Sequence, residues 1–222
     1  MIKSVEIVKK DIKNMYLSVN PDCSVILKAP INTPDSFIES FLKKKESWIE
    51  KQVTHFKSMG TVTAEKRYVS GESFKYLGKN YRLKVHKSTE ERVSLYRGYI
   101  HLYVADKDDI DKKKQLIENW YTTKSKEKLF EIFIENYSKV TNNIPKFAVR
   151  KMKKRWGSCN SEKNKIILNE KLIEKPKYCI EYVVFHELAH LKHPNHSRGF
   201  YNYLTYLMPD WEFRRERLNE VN

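Results

Sequence analysis

The stretch that decides the fold is residues 178–192, YCIEYVVFHELAHLK, which contains the pattern His-Glu-x-x-His. Its apolar content and the preceding Pro176 predict a helix over this stretch. Residues four apart share one face of a helix, so His186 and His190 can direct both imidazoles at one metal ion. Glu187 lies about 100° further around the helix, where it can reach water at the metal without being a ligand. The stretch therefore predicts a zinc site with Glu187 as the catalytic residue.

A third ligand is expected just after this helix, because a catalytic zinc usually takes three protein ligands. Pro194 disfavours helical geometry at His193, and the Pro194-Asn195 pair favours a turn. We therefore expect the chain to reverse and to return His196 to the metal, with His193 as the rival ligand. The alternative is that these histidines are ordinary surface residues. The apolar run just before His186 argues against it, because unpaired ionisable groups are costly in a buried segment.

A second candidate cluster lies upstream, where residues 136–161 contain no Asp or Glu and seven Lys or Arg. Residues 147–153 are predicted to form a strand and residues 155–164 a polar loop. The turn Arg155-Trp156-Gly157-Ser158 could present an indole and a guanidinium to a ligand. The predicted substrate-binding residues are Arg150, Arg155, Trp156 and Ser158. The alternative is a set of solvated lysines that protect a sheet edge from aggregation.

Cys159 follows this turn and could be read as a nucleophile beside basic residues. We disfavour that interpretation, because a catalytic cysteine needs a partnered histidine and the histidine cluster is better explained by a metal.

The rest of the chain predicts an α+β fold. Three strands of a meander are expected in the first thirty residues, and a helix with an apolar stripe is expected after Thr33-Pro34. More strands follow up to Val104, and a long helix is expected from Asp106 to about Val140. We predict a strand-rich N-terminal domain over residues 1–105 and a metal-binding catalytic domain over residues 106–222.

Composition excludes several classes of protein. The chain has 222 residues, 40% of them hydrophobic, with 43 Lys and Arg against 28 Asp and Glu, a net charge of +15. That composition is typical of a folded basic protein. No apolar run approaches the roughly 20 residues of a membrane span, and no signal peptide is recognisable, so we expect a cytoplasmic protein without membrane contact. Three scattered cysteines indicate neither a disulfide framework nor a zinc ribbon.

Several motifs together resemble the YgjP-like metal-dependent hydrolases, which are distant relatives of SprT-like and other zincin metallopeptidases. The motifs are Arg155-Trp156-Gly157-Ser158-Cys159, Ile166-Ile167-Leu168-Asn169, the segment Val183 to Leu191, His196 and Phe200. The resemblance implies a zincin-like C-terminal domain in which His186, His190 and His196 bind zinc and Glu187 polarises the water. It also implies that the strand Ile166 to Asn169 is the sheet edge along which a peptide substrate lies. Metzincin membership is disfavoured, because His193 replaces that motif's glycine.

The leading hypothesis for function is therefore a zinc-dependent hydrolase of peptides. One alternative keeps the metal but hydrolyses a phosphoanhydride such as a nucleoside triphosphate, since Arg and Lys clamps suit phosphate oxygens. A second alternative is a nucleic-acid-binding protein with structural zinc, which the sequence supports only through its charge. The sequence does not indicate an oligomeric state.

Overall fold

The computed structural model describes residues 5–12, 14–20, 22–58 and 66–219, and it has the mixed α+β architecture that the sequence predicts. The chain forms two compact units, residues 1–64 with 219–222, and residues 65–218. The domain boundary predicted at residue 106 falls inside the second unit, between a sheet and the helix that packs on it.

The first unit is a small sheet with one helix. Its strands are β1 (Val5–Lys10), β2 (Tyr16–Val19) and β3 (Val25–Pro30), followed by helix α1 (Asp35–Ser58). The strand order is β1-β3-β2, with β1 parallel and β2 antiparallel to β3. The predicted meander is wrong, because alternating apolar residues indicate which face is buried but not which strand is the neighbour. Leu27 and Ala29 of β3 bury their side chains with Ile38 of α1.

The second unit begins with a four-stranded sheet. Its strands are β4 (Ser73–Tyr76), β5 (Lys79–Lys87), β6 (Arg92–Tyr96) and β7 (Tyr99–Val104), in the order β4-β5-β7-β6. The two central strands are parallel, and each outer strand is antiparallel to its neighbour. Helix α2 (Ile110–Tyr137) packs on this sheet, where Ile117 and Trp120 join Leu83, Ile100 and Leu102 in one apolar core. This core lies on one face of the sheet only.

A second sheet, a short 3-10 helix (Glu170–Glu174) and three α-helices follow and carry the predicted metal site. The strands are β8 (Lys146–Arg150), β9 (Gly157–Asn160) and β10 (Lys165–Asn169), and the helices are α3 (Lys177–Ala189), α4 (Arg198–Leu207) and α5 (Trp211–Asn219). The strand order is β8-β10-β9. Within the described ranges, no helix combines the length and the hydropathy that a bilayer crossing requires.

Two expectations about this sheet are wrong. The segment 166–169 lies in the central strand β10, parallel to β8 and antiparallel to β9, so it is not the sheet edge. The edge next to the site is β9, which the sequence predicted as part of a polar loop. Its residues, Gly-Ser-Cys-Asn, have low strand propensity, and the register with β10 overrides that propensity.

Candidate metal centre

Three imidazoles converge at the end of α3. His186 lies in the last turn of this helix, His190 caps it, and His196 precedes α4. The Nε2 atom of His196 lies 3.0 Å from Nε2 of His186 and 3.1 Å from Nε2 of His190. Nitrogens bound to one tetrahedral zinc at about 2.0–2.1 Å would be roughly 3.3–3.4 Å apart. The three side chains could therefore hold one metal ion.

The turn between α3 and α4 fixes the orientation of His190. Its Nδ1 lies 3.1 Å from the carbonyl oxygen of His193, so Nδ1–H donates to that carbonyl and Nε2 keeps its lone pair. Metal-binding histidines commonly orient their rings through such a bond. His193 thus acts here through its backbone, while its ring packs 5.4 Å from Tyr203.

Burial favours the neutral forms of His186 and His190. The fully buried ring of Phe200 lies 5.0, 4.6 and 4.9 Å from the rings of His186, His190 and His196. Burial lowers the pKa of His186 to about 3, with a smaller contribution from the charges of the neighbouring histidines. Burial also lowers the pKa of His190. Neutral imidazoles offer the lone pairs that a metal needs.

Glu187 lies on the same helix, and its side chain is buried. It is 6% exposed, and its burial raises the pKa of the carboxyl to about 8, while the charge of Arg155 acts in the opposite direction. Its side chain fills the space beside Gly157 of β9, where a Cβ atom would lie 2.5 Å from Oε1 of Glu187. A buried carboxyl with a raised pKa is typical of a general base.

Asn169 holds the loop that leads to Gly157. Its side chain donates to the carbonyl oxygens of Met152 and Arg155, at 2.9 and 3.0 Å, and is fully buried. Its backbone N–H also donates to the carbonyl of Trp156. These bonds connect the end of β10 to the whole segment that enters β9, and so they position Gly157 against Glu187.

The predicted substrate-binding residues have different surroundings. Arg150 is exposed at the end of β8, and Arg155 is exposed while its charge acts on Glu187. Ser158 is half-buried on β9, paired with Ile167 of β10. Trp156 is only 7% exposed, so it does not offer the open stacking surface that the sequence predicted.

Cys159 has the electrostatics of an unreactive thiol. Burial, and secondarily the charge of Glu187, raise its pKa to about 11. A nucleophilic cysteine requires the opposite shift.

Several residues that shape the site were not predicted as site residues from the sequence. They are Gly157, Asn169, Phe200 and Arg215. The charge of Arg215, on α5, acts on His186, and its guanidinium lies 4.8 Å from the centre of the Trp211 ring. A glycine within a strand often marks a close approach of another group, and that signal was available at Gly157. Nothing in the local sequence points to Arg215.

Three converging imidazoles with a buried glutamate beside them, within an α+β fold, are the arrangement typical of metal-dependent hydrolases of the metallopeptidase kind. The chain belongs to the YgjP-like family, since the family model described as "YgjP-like, metallopeptidase domain" matches residues 13–221. This match confirms the resemblance predicted from the motifs. No curated protein matches the chain significantly.

Proposed function

We propose that this protein is a zinc-dependent peptidase in which His186, His190 and His196 are the metal ligands. The observation that carries the proposal is the convergence of three Nε2 atoms. Three imidazole nitrogens suit zinc, which accepts imidazole ligands and leaves a further position open in catalytic sites.

Glu187 is the proposed general base. When bound, zinc would act as a Lewis acid toward the scissile carbonyl and lower the pKa of the attacking water. The Glu187 carboxylate accepts the proton of that water and passes it to the amine nitrogen that leaves. Its burial and its raised pKa support this role, because a desolvated carboxylate binds a proton more tightly than an exposed one.

Strand β9 is the proposed place of the peptide substrate. Within the described part of the chain, β9 pairs only with β10, so its other side offers unpaired backbone groups to an extended peptide. The strand starts at Gly157, against Glu187. A peptide added to this edge would therefore bring its own backbone to the general base.

Two substitutions test the proposal. Glu187→Gln is expected to keep one zinc per chain and to lose about 10²–10⁴-fold in peptide turnover. His196→Ala is expected to lose the zinc. Metal content by mass spectrometry and cleavage of a panel of unstructured fluorogenic peptides are the two measurements. Full turnover by Glu187→Gln, or full zinc content in His196→Ala, would contradict the mechanism.

A second candidate function is the hydrolysis of a phosphoanhydride. The feature that favours it is the presence of exposed guanidinium groups, one of them near Glu187. Arg155 is exposed and electrostatically coupled to Glu187, and Arg150 is exposed on the preceding strand. Guanidinium groups bind phosphate oxygens well.

A nucleotide panel separates the two functions. If the phosphoanhydride is the substrate, the protein releases phosphate or pyrophosphate from nucleoside triphosphates, and Arg155→Gln abolishes the release. Lys163→Gln, which removes an exposed charge from the turn between β9 and β10, is the matched control. Peptide cleavage without any nucleotide turnover would exclude this candidate.

A further inference from the structure

The four-stranded sheet has a second face, which α2 does not cover. Ile100 and Leu102 of β7 are fully buried against α2, whereas Tyr99, His101 and Tyr103 alternate to the other side and are partly exposed. Tyr96 of β6 pairs with Tyr99 and is 58% exposed. We call these four rings, with Lys84 and Arg92 beside them, the tyrosine face.

The rings of the tyrosine face form a row along β7. The ring centres of Tyr99 and His101 are 6.2 Å apart, and those of His101 and Tyr103 are 6.4 Å apart. The ring of Tyr96 lies 6.4 Å from that of His101. The ring of His86 on β5 stacks on His101 and Tyr103, with ring centres 5.2 and 4.8 Å away, so these rings are partly covered by each other. The exposed parts of the row, above all Tyr96, offer a stacking surface to a flat ligand.

The charge of this sheet has one sign. No Asp or Glu occurs in any of the four strands. On the tyrosine face, Arg82 pairs with Tyr99 and Lys84 pairs with His101, whereas Lys79 and Lys87 alternate to the side of α2. The acidic side chain nearest to Arg92 is Glu90, 3.8 Å away in the loop before β6, and both are largely exposed. The face is therefore complementary to a polyanion.

The cations of the tyrosine face lie directly over its rings. The Nζ atom of Lys84 lies 3.8 Å from the centre of the Tyr99 ring, and Cζ of Arg92 lies 4.3 Å from that of Tyr103. A base that stacks on Tyr99 would displace the ammonium of Lys84 toward solvent, where it can meet a phosphate. The guanidinium plane of Arg92 can itself stack on a base.

We propose that the tyrosine face binds single-stranded nucleic acid, with bases on Tyr96 of β6 and on the rings of β7, and phosphates on Lys84 and Arg92. Rings and cations interleaved on an open sheet match the two needs of a single strand, which exposes both its base faces and its phosphates. A duplex hides its base faces, and an acidic peptide would use the cations without the rings. The residues of the tyrosine face are distinct from those of the metal centre, so this inference does not depend on the proposed peptidase activity.

The test measures binding of the full-length protein to fluorescein-labelled 12-nucleotide single strands of mixed sequence. RNA, DNA and the corresponding DNA duplex are compared by fluorescence anisotropy over a series of salt concentrations. We expect both single strands to bind more tightly than the duplex. Tyr96→Ala is expected to weaken binding by about 5-fold or more, since the stacking of one base is worth roughly that much. Lys84→Gln with Arg92→Gln is expected to reduce the slope of log affinity against log salt by about 1 to 2.

Matched variants test whether the binding occurs on the tyrosine face. Lys114→Gln with Lys126→Gln removes the same charge from exposed positions of α2, on the other side of the sheet, and should leave affinity within 2-fold. Lys151→Gln with Lys153→Gln tests the basic segment before β9, and it should also retain binding. Tyr96 is exposed, so its variant is expected to fold, and circular dichroism checks this.

Two results of the binding measurement would overturn the proposal: no measurable binding of single strands at low salt, or equal affinity for single strand and duplex. Loss of binding only in the Lys151/Lys153 variant would also overturn it. So would competition between polyglutamate and the single strand that Tyr96→Ala does not alter. The last result would identify a general polyanion surface. Retained binding by Glu187→Gln and His196→Ala would show that nucleic-acid binding and the metal centre are separate properties.

Discussion

Gly157 and Glu187 touch so closely that a Cβ atom on residue 157 would lie 2.5 Å from Oε1 and 2.8 Å from Cγ of the glutamate. No real Cβ atom tolerates such contacts, so any other residue at 157 must move the glutamate or the strand. The glycine therefore joins the edge strand β9 to the general base proposed on α3. This contact gives a physical reason for the glycine in Arg-Trp-Gly-Ser-Cys.

Gly157→Ala should separate catalysis from metal binding. Because the methyl group displaces the carboxylate of Glu187, we expect peptide turnover to fall about 100-fold or more, as about 1 Å of misplacement suffices for that. Overpacking should also lower the free energy of unfolding by about 1–3 kcal/mol. Zinc content should stay near one per chain, since the histidines are not touched. Turnover and metal content of the same preparation are the measurements.

Gly199→Ala is the control for that substitution. Gly199 lies in α4, and its added Cβ would meet His193 Nδ1 at an ordinary 3.5 Å. We expect unchanged turnover and a gain in stability of up to about 1 kcal/mol from helix propensity. Equal loss of turnover in both glycine variants would contradict the role given to Gly157.

His193→Ala should retain the metal. The group that His193 provides to His190 is its backbone carbonyl, which the substitution keeps. We therefore expect a zinc affinity within a few-fold of the wild type, whereas His196→Ala should bind zinc weakly with two ligands left. Competition with a zinc-binding dye measures both affinities. Loss of zinc from His193→Ala with retention in His196→Ala would reverse the assignment of the third ligand.

Asn169→Ala should destabilise the second unit. The change leaves the partly buried carbonyls of Met152 and Arg155 without their donors, and each group that stays unsatisfied away from water costs about 1–3 kcal/mol. We expect a loss of about 2–4 kcal/mol in urea unfolding. Asn160→Ala removes one exposed bond, from the N–H of Lys163, and should cost less than about 1 kcal/mol. Similar losses in the two variants would disprove the special role of Asn169.

The Cys159 thiol should react slowly at mildly alkaline pH. Its pKa is raised to about 11, so the thiolate forms only at high pH, and at pH 8 its population is roughly 100-fold below that of an ordinary thiol. In chelator-treated protein we expect alkylation by iodoacetamide, mapped to Cys159 by mass spectrometry, to be slowed by about that factor. Glu187→Gln should accelerate it, because it removes a negative charge.

The peptide turnover of Cys159→Ser tests whether the Cys159 thiol is a catalytic nucleophile. If the thiol is no nucleophile, the serine variant keeps the peptide turnover of the wild type. A loss as large as that of Glu187→Gln would restore the nucleophile interpretation that the histidine cluster disfavours.

Local spacing was enough to predict much of the candidate metal centre from the sequence. His186 and His190 are four residues apart on a helix, and the helix rise and turn alone place them together. The turn at Pro194-Asn195 depends on the backbone limits of proline, which are also local. For the same reason α1 after Thr33-Pro34 and the helical segment around residues 178–189 were predictable.

Strand order and burial were not predictable in this way. The four residues of β9 have low strand propensity and become a sheet edge only because β10 pairs with them. Trp156 looked like an exposed platform from its neighbours in sequence, and it is buried in the folded unit.

The residue pattern of this chain was thus sufficient for the α+β class, the family and the histidines of α3, because these depend on contacts within a few residues. Tertiary structure decided that β9 rather than β10 is an edge strand, that Gly157 contacts Glu187, and that the rings of Tyr99, His101 and Tyr103 share the face opposite α2. Each of these depends on pairing or packing between segments distant in sequence. Hydrophobic periodicity indicates that a strand or a helix has a buried side, but only the assembled fold selects the segment that covers it.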